Sequence, residues 1–179
     1  MKQVIQSRRS GKLALKNVPA TQVRAGHLLV RTRTSLISAG TERMVVDFAK
    51  KSLASKAQAR PDLVKKALAK AKKEGLWNTW KAVMARLDEP LPLGYSAAGE
   101  VIAVGAGLEA EFRVSDRVAM AGAGIANHAE LNAVPRNLVA KIPDNVSDDD
   151  ACYGTVGAIS MHAVRNLKIG LGDIVGVIG

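Results

Sequence analysis

The chain has 179 residues, 47% of them apolar, and carries 26 Lys and Arg against 16 Asp and Glu, a formal net charge of +10. This composition supports one sizeable domain with a packed core, and the lone Cys152 excludes an internal disulfide. No charged stretch leads into an apolar export segment, and no apolar run reaches the roughly 20 residues that cross a bilayer. We therefore expect a cytoplasmic protein without a membrane partner.

The excess of positive charge narrows the class of partner. Such an imbalance attracts polyanions, nucleic acid among them. The basic residues are, however, spread over the N-terminal strands and one helical segment, with few aromatic side chains between them for base stacking. A nucleic-acid partner is not expected. A solvated basic face is favoured, one that attracts an acidic or phosphorylated substrate or docks on another part of the protein.

The first half of the chain changes from strands to helices near Thr41. Residues 2–6, 12–18 and 26–34 have the pattern of short strands separated by turns. From Thr41 to about Arg86 the composition shifts to Ala, Lys, Leu and Met, with apolar residues at helical spacing. Pro61 is placed for a first helical position and Gly75 for a break, so two or three helices are predicted.

The pattern of strands returns after Pro90. Strands are predicted at 97–105, 116–120 and 129–134. Ser147, followed by three aspartates, predicts the start of a helix that continues toward Lys168. Residues 170–179 are typical of a turn, a buried parallel strand and the first glycine of a phosphate-binding turn, as at the start of a dinucleotide-binding unit.

The order of these segments resembles the medium-chain dehydrogenase/reductase family. The resemblance is carried by residues 26–34, Pro92 to Val101, Ser115 to Val118, Ala129-Glu130, Lys141 to Asp144, His162-Ala163 and Gly172 to Gly179. It implies a mainly β fold: a GroES-like, partly open β-barrel over residues 1–150, which supplies the substrate side of the cleft, with a helical insertion at 41–88. Residues 151–179 would then form a connecting helix and the first strand of a truncated Rossmann domain.

The subgroup resemblance is to bacterial bi-domain oxidoreductases. It is carried by Ser35 to Arg43, by the long basic insertion and by Leu93-Gly94-Tyr95. In those proteins the first half is followed by a dehydrogenase half of the Gfo/Idh/MocA type. The resemblance implies hydride transfer between NAD or NADP and a small alcohol or carbonyl substrate, with a sugar or sugar nucleotide as one candidate.

The same resemblance limits what this chain is expected to do alone. The residue that separates NAD from NADP would follow Gly179, so the choice of cofactor stays open. The missing Rossmann half leads us to expect weak or no dinucleotide binding and no activity in the chain by itself. Formation of a homo-oligomer is left open.

Zinc is not expected as a cofactor. Zinc-dependent members of the family have a cysteine in a Gly-Ile-Cys-Gly-Thr-Asp segment and a histidine in a Gly-His-Glu segment. Here the first segment offers Ser38 or Ala39, and the second reads Gly94-Tyr95-Ser96. A catalytic zinc needs about three protein ligands and an open position. No remaining histidine or cysteine falls at a ligand spacing.

The candidate catalytic residues follow from the resemblance. Tyr95 occupies the position of the missing histidine, so its phenol is a candidate hydrogen-bond donor to an oxygen that gains negative charge. Ser38 and Thr41, together with Ser96, are candidates to orient it, and a tyrosine that only packs in a bend is the simpler alternative. Glu42 is a candidate base or ligand for a substrate hydroxyl, although capping of the inserted helix is favoured.

The candidate cofactor-binding residues are Thr155, Gly157 and Gly179. The first two match the region in which family members approach the nicotinamide, and the third begins the phosphate-binding turn. His162 is interpreted as a packed structural residue rather than a catalyst. The rival to an enzyme is a catalytically inactive docking or regulatory module that grips a partner with its basic helices.

Overall fold

Two antiparallel sheets form the β part of the chain. A computed structural model describes residues 1–50, 55, 58 and 61–178. The strands in these residues are β1 (Lys2–Ser7), β2 (Leu13–Asn17), β3 (His27–Ser35), β4 (Pro90–Pro92), β5 (Ser96–Val104), β6 (Arg117–Ala121), β7 (Leu131–Pro135) and β8 (Val139–Lys141). The smaller sheet has the order β2-β1-β4 and the larger sheet β7-β3-β5-β6-β8.

The core lies inside the larger sheet, which curls into a half-barrel. Alternate side chains of each strand point inward, as a strand with one buried face requires. The fully buried set includes Leu28, Val30, Val101, Val118 and Val134. The mainly β fold predicted from the sequence is therefore confirmed.

The paired strands β3 and β5 bring two connecting segments together at one end of the larger sheet. β3 and β5 run antiparallel, with Ser35 opposite Ala97 and Val30 opposite Val101. The end of β3 thus lies beside the start of β5. The segment after Ser35 and the segment before Ser96 therefore leave the sheet at the same end.

The helical insertion begins with a helix that lies near the turn between β1 and β2. α1 (Thr41–Lys50) buries Ala49 and passes close to Gly11, where an added Cβ would come within 3.0 Å of the Lys50 backbone nitrogen. α2 (Pro61–Glu74) and α3 (Leu76–Asp88) then form a hairpin that packs mainly on itself. The predicted start at Pro61 and the break at Gly75 are confirmed.

The predicted helix after Ser147 is instead two helices. Ser147 caps α4 (Asp148–Ala151) by accepting a hydrogen bond from the Asp150 backbone N–H at 3.0 Å. The chain then turns at Cys152 and continues as α5 (Gly154–Asn166). The capping signal was correct, and the interruption has no marker in the sequence pattern.

The predicted terminal strand is wrong in this structure. Residues 173–178 form no strand, and Ile174 and Ile178 are fully exposed. A strand needs a neighbour for its backbone N–H and C=O groups. No segment among the described residues pairs with this one.

Candidate functional site

Three polar side chains from distant parts of the chain meet at the edge where β3 ends. His128 Nδ1 lies 2.8 Å from Ser35 Oγ, and His128 Nε2 lies 2.9 Å from Glu42 Oε1. The His128 and Glu42 side chains are only 10% and 14% exposed. We call this set the Ser35–His128–Glu42 cluster. It places a carboxylate, an imidazole and a hydroxyl in one hydrogen-bonded row.

Gly94 allows the histidine to reach this position. The His128 backbone N–H donates to the Leu93 carbonyl at 2.8 Å, and Gly94 has a φ of 98°. A Cβ at Gly94 would lie 2.6 Å from the His128 nitrogen. A side chain at position 94 would therefore push the His128 loop away from the strand entrance.

The first turn of α1 presents the carboxylate. The Thr41 backbone N–H donates to Ser38 Oγ at 3.3 Å, and the Glu42 backbone N–H donates to the Ser38 carbonyl at 3.0 Å. Ser38 therefore makes the capping contacts. The favoured interpretation of Glu42 as a cap is wrong for its side chain, which binds His128 instead. Its charge still lies at the positive end of the helix.

Tyr95 lies on the other side of Gly94 and its phenol is half-buried. Its carbonyl accepts hydrogen bonds from the Gly122 N–H at 2.8 Å and from Thr155 Oγ1 at 3.5 Å. Within the described ranges its hydroxyl makes no hydrogen bond. Two hydrogen bonds therefore fix the Tyr95 carbonyl, and the phenol O–H stays available as a donor.

Ser96 is held away from that phenol. Its hydroxyl donates to the Cys152 carbonyl at 2.6 Å and is 3.4 Å from the Thr155 nitrogen. It is also almost fully buried. Ser96 therefore fastens the start of β5 to the turn between α4 and α5, and the predicted orienting role for it lacks a contact here.

Burial also shapes the chemistry of the one cysteine. Burial raises the pKa of the Cys152 thiol, and the negative charges of Asp149 and Asp150 raise it further. The thiol is a donor to the Asp149 carbonyl at 3.1 Å. A thiol with a raised pKa is a poor nucleophile and a poor metal ligand at neutral pH.

The cofactor candidates lie at the start of α5. Thr155 is tied to the Tyr95 carbonyl, and a Cβ at Gly157 would meet no atom within 4 Å. Gly179 lies outside the described residues. His162, predicted to be packed, is exposed and contacts Asn166 at 2.9 Å, so that prediction is wrong.

The residues at the family's zinc positions do not fit that metal. They supply Ser38 or Ala39, the Tyr95 phenol and a Ser96 hydroxyl that already donates a hydrogen bond to the Cys152 carbonyl. In the part of the chain that the structure describes, no group of three or more His, Cys, Asp or Glu residues is placed to hold a metal ion. Hydroxyls, an imidazole and a carboxylate remain for proton transfer.

The cluster was only partly predictable. Glu42 was singled out from the sequence, but His128 was set aside because it has no metal-ligand spacing. The two are 86 residues apart in the chain, and Ser35 is 93 residues from His128. The available signal was position: His128 directly precedes the Ala129-Glu130 pair that carries part of the family resemblance.

Known proteins with this fold include several oxidoreductases. No family model matches the chain. A curated relative, (R,R)-butanediol dehydrogenase of Bacillus subtilis, is 28% identical over 114 residues, which cover 50% of this chain and 32% of that protein. The quinone oxidoreductase of Coxiella burnetii has a TM-score of 0.65 at 18% identity over 97% of this chain and 47% of its own.

A third comparison includes a bound nucleotide. A mycobacterial protein solved in complex with NADPH has a TM-score of 0.60 at 21% identity, over 98% of this chain and 43% of its own. The chain thus spans about a third to a half of the length of these relatives.

These comparisons confirm the fold and the resemblance. The chain shares its fold with part of each of these oxidoreductases, and its two antiparallel sheets, one curled into a half-barrel, are those of a GroES-like fragment. The family resemblance identified in the sequence, to the medium-chain dehydrogenase/reductases, is confirmed. The bi-domain arrangement stays a prediction.

Proposed function

We propose that this chain is the substrate-side part of a zinc-independent, NAD(P)-dependent oxidoreductase that acts on an alcohol or a carbonyl compound. The observation that carries the proposal is the hydrogen-bonded Ser35–His128–Glu42 cluster beside Gly94, on a fold shared with known oxidoreductases. The substrate side comprises residues 1–150 with the insertion at 41–88, and residues 151–179 lead to the nucleotide. A cytoplasmic location is part of this proposal.

The nicotinamide, when bound, supplies or accepts the hydride. The protein's task is to orient the substrate and to handle the proton. In carbonyl reduction the carbonyl carbon receives the hydride and its oxygen receives a proton. Tyr95 supplies the proton, since its phenol has no hydrogen-bond partner in the described residues, and the proton is replaced from solvent.

The Ser35–His128–Glu42 cluster supplies the contacts that hold the substrate. Glu42 uses Oε1 for His128. Its other oxygen makes no hydrogen bond in the described segments and accepts one from a substrate hydroxyl. Ser38 and Thr41 hold the first turn of α1 in place. A polyhydroxylated substrate such as a sugar or sugar nucleotide offers the hydroxyls that such a site requires.

The test uses the full-length protein and a panel of carbonyl and sugar substrates, with oxidation of NADH or NADPH as the readout. Tyr95→Phe removes one hydroxyl, and the expected loss in turnover is at least about 100-fold, the scale of general acid catalysis. Tyr153→Phe is the matched control, since Tyr153 is exposed. Unchanged turnover in Tyr95→Phe, or stoichiometric zinc in the active protein, would contradict the proposal.

A docking module is the second candidate. The observation in its favour is the helical hairpin, whose apolar side chains include both tryptophans and are largely exposed. Binding of a partner by the full-length protein, with no turnover across the substrate panel, would favour this candidate over the enzyme.

A further inference from the structure

The hairpin of α2 and α3 ends in an exposed apolar tip. Leu76 and Trp77 are 78% and 76% exposed, and Trp80 is 53% exposed. Gly75, which joins the helices, has open space around it: an added Cβ would meet no atom within 4 Å. We define the hairpin tip as residues 72–81. It contains both tryptophans of the chain.

Exposed lysines lie on either side of these apolar side chains. Lys72 and Lys73 end α2 and Lys81 follows Trp80. None of the three forms an ion pair within the described ranges. The acidic residue of the tip, Glu74, is already paired with Lys70 at 3.5 Å. The tip therefore combines exposed apolar area with unneutralised positive charge.

A large exposed apolar patch on a soluble surface indicates a contact site. We propose that the hairpin tip docks on the surface of an anionic lipid bilayer. Tryptophan suits the boundary between headgroups and acyl chains, since its ring is apolar and its N–H is polar. Lysines beside it are attracted to anionic headgroups.

The aliphatic residues decide between lipid and nucleic acid. Tryptophan and lysine alone would also suit a single-stranded polynucleotide, on which indole rings stack. Leu76 and the half-exposed Val83 gain nothing from stacking but gain from leaving water at the acyl boundary. An acidic protein surface that lacks an apolar patch would satisfy the lysines but leave these side chains in water.

The expectation of no membrane partner concerned a different mode of contact. It was based on the lack of a spanning segment, and in the described residues no helix is long and apolar enough to cross a membrane. A surface-bound helix needs only a charged face and a few apolar side chains. The proposal replaces that expectation and does not depend on the proposed enzymatic function.

The tip contains its own reporter. Because both tryptophans lie there, the fluorescence of the unlabelled chain measures their environment. We expect a blue shift and co-sedimentation with vesicles of equal parts phosphatidylglycerol and phosphatidylcholine, and neither with phosphatidylcholine alone. Lys73→Gln should weaken vesicle binding about fivefold, the effect of one cation near an anionic surface. Trp77→Ala should weaken it about tenfold or more.

The control is a lysine far from the tip. Lys16→Gln changes an exposed lysine on β2 and should leave vesicle binding unchanged. Circular dichroism checks that each variant is folded. Failure to bind anionic vesicles, or equal weakening by Lys16→Gln and Lys73→Gln, would overturn the proposal. A larger shift with single-stranded polynucleotide or with polyglutamate would overturn it in favour of nucleic acid or an acidic protein.

Discussion

The Ser35–His128–Glu42 cluster and the hairpin tip differ in how their polar and apolar side chains are satisfied. At the end of β3, Glu42 and His128 are mostly buried and each is the other's partner. At the hairpin tip, Trp77 is exposed and Lys73 makes no ion pair in the described residues. A buried polar group without a partner is costly, so internal hydrogen bonds must satisfy the cluster. The side chains of the hairpin tip have no such internal contacts, and we expect a binding partner to satisfy them.

The largest expected contrast is between two aromatic side chains. Phe112 is 2% exposed and packs in the core, with the Arg136 guanidinium 5.3 Å from its ring centre. Phe112→Ala should lower the free energy of unfolding by about 3–5 kcal/mol, the cost of a core cavity of that size. Trp77→Ala should change it by less than about 0.5 kcal/mol. Urea denaturation measures both, and equal losses would remove the contrast.

Two glycines with positive φ sharpen the same comparison. At Gly94 an added methyl group meets the His128 backbone, whereas at Gly75 it meets open space. Gly94→Ala should therefore cost about 3 kcal/mol or more of stability, from backbone strain plus the clash. Gly75→Ala meets no clash but keeps the strain of a φ of 87° and a ψ of 155°, so it should cost about 1–3 kcal/mol. A Gly94→Ala variant as stable as Gly75→Ala would show that the loop does not approach so closely.

A third prediction concerns the histidines. His128→Ala leaves the Glu42 carboxylate and the Ser35 hydroxyl without their partner and should cost about 2 kcal/mol of stability. His162→Ala, on an exposed surface, should cost less than about 0.5 kcal/mol. In a double-mutant cycle with Glu42→Gln, we expect a coupling of about 1 kcal/mol to His128. Additive losses would mean that the two side chains do not interact in solution.

The smallest expected effect is a dependence of stability on pH. The Lys141 ammonium, 2.7 Å from Asp116, holds the pKa of that carboxyl below its usual value, and the Arg113 backbone N–H lowers it further. A lowered pKa stabilises the fold above the unfolded-state value near 4 and loses this stabilisation as pH falls through the folded value.

Asp116→Asn should therefore flatten the loss of stability between about pH 4 and pH 2, measured by urea denaturation at each pH. Lys141→Met should flatten it as well, since it removes the main cause of the shift. A slope unchanged in both variants would assign the acid sensitivity to other carboxyls, of which Glu100, paired with Arg33, is the next to examine.

Local signals in the sequence predicted much of the fold. The strands with alternating apolar residues, the start at Pro61, the break at Gly75 and the cap at Ser147 all depend on neighbours a few residues apart, and all are confirmed. β4 and β8 have three residues each, too few to show a period. They form because longer strands lie beside them.

The candidate site was harder to predict for the same reason. Glu42 could be singled out by its position, but its partner is fixed by the path of the chain around Gly94. The sequence predicted a packed His162 and a buried strand within residues 170–179, and the structure exposes both. Periodicity indicates which side of an element is apolar, and only the fold determines whether another element covers it.

The contacts of α1 divide the inserted helices into two parts with different roles. The first helix contributes Glu42 to the cluster and passes close to Gly11, whereas the hairpin from Pro61 makes its main contacts with itself. A graft, deletion or exchange of the hairpin from Pro61 onward should leave the Glu42–His128 contact intact. The same operation begun at Thr41 would remove Glu42 from the cluster, so the two parts can be altered independently.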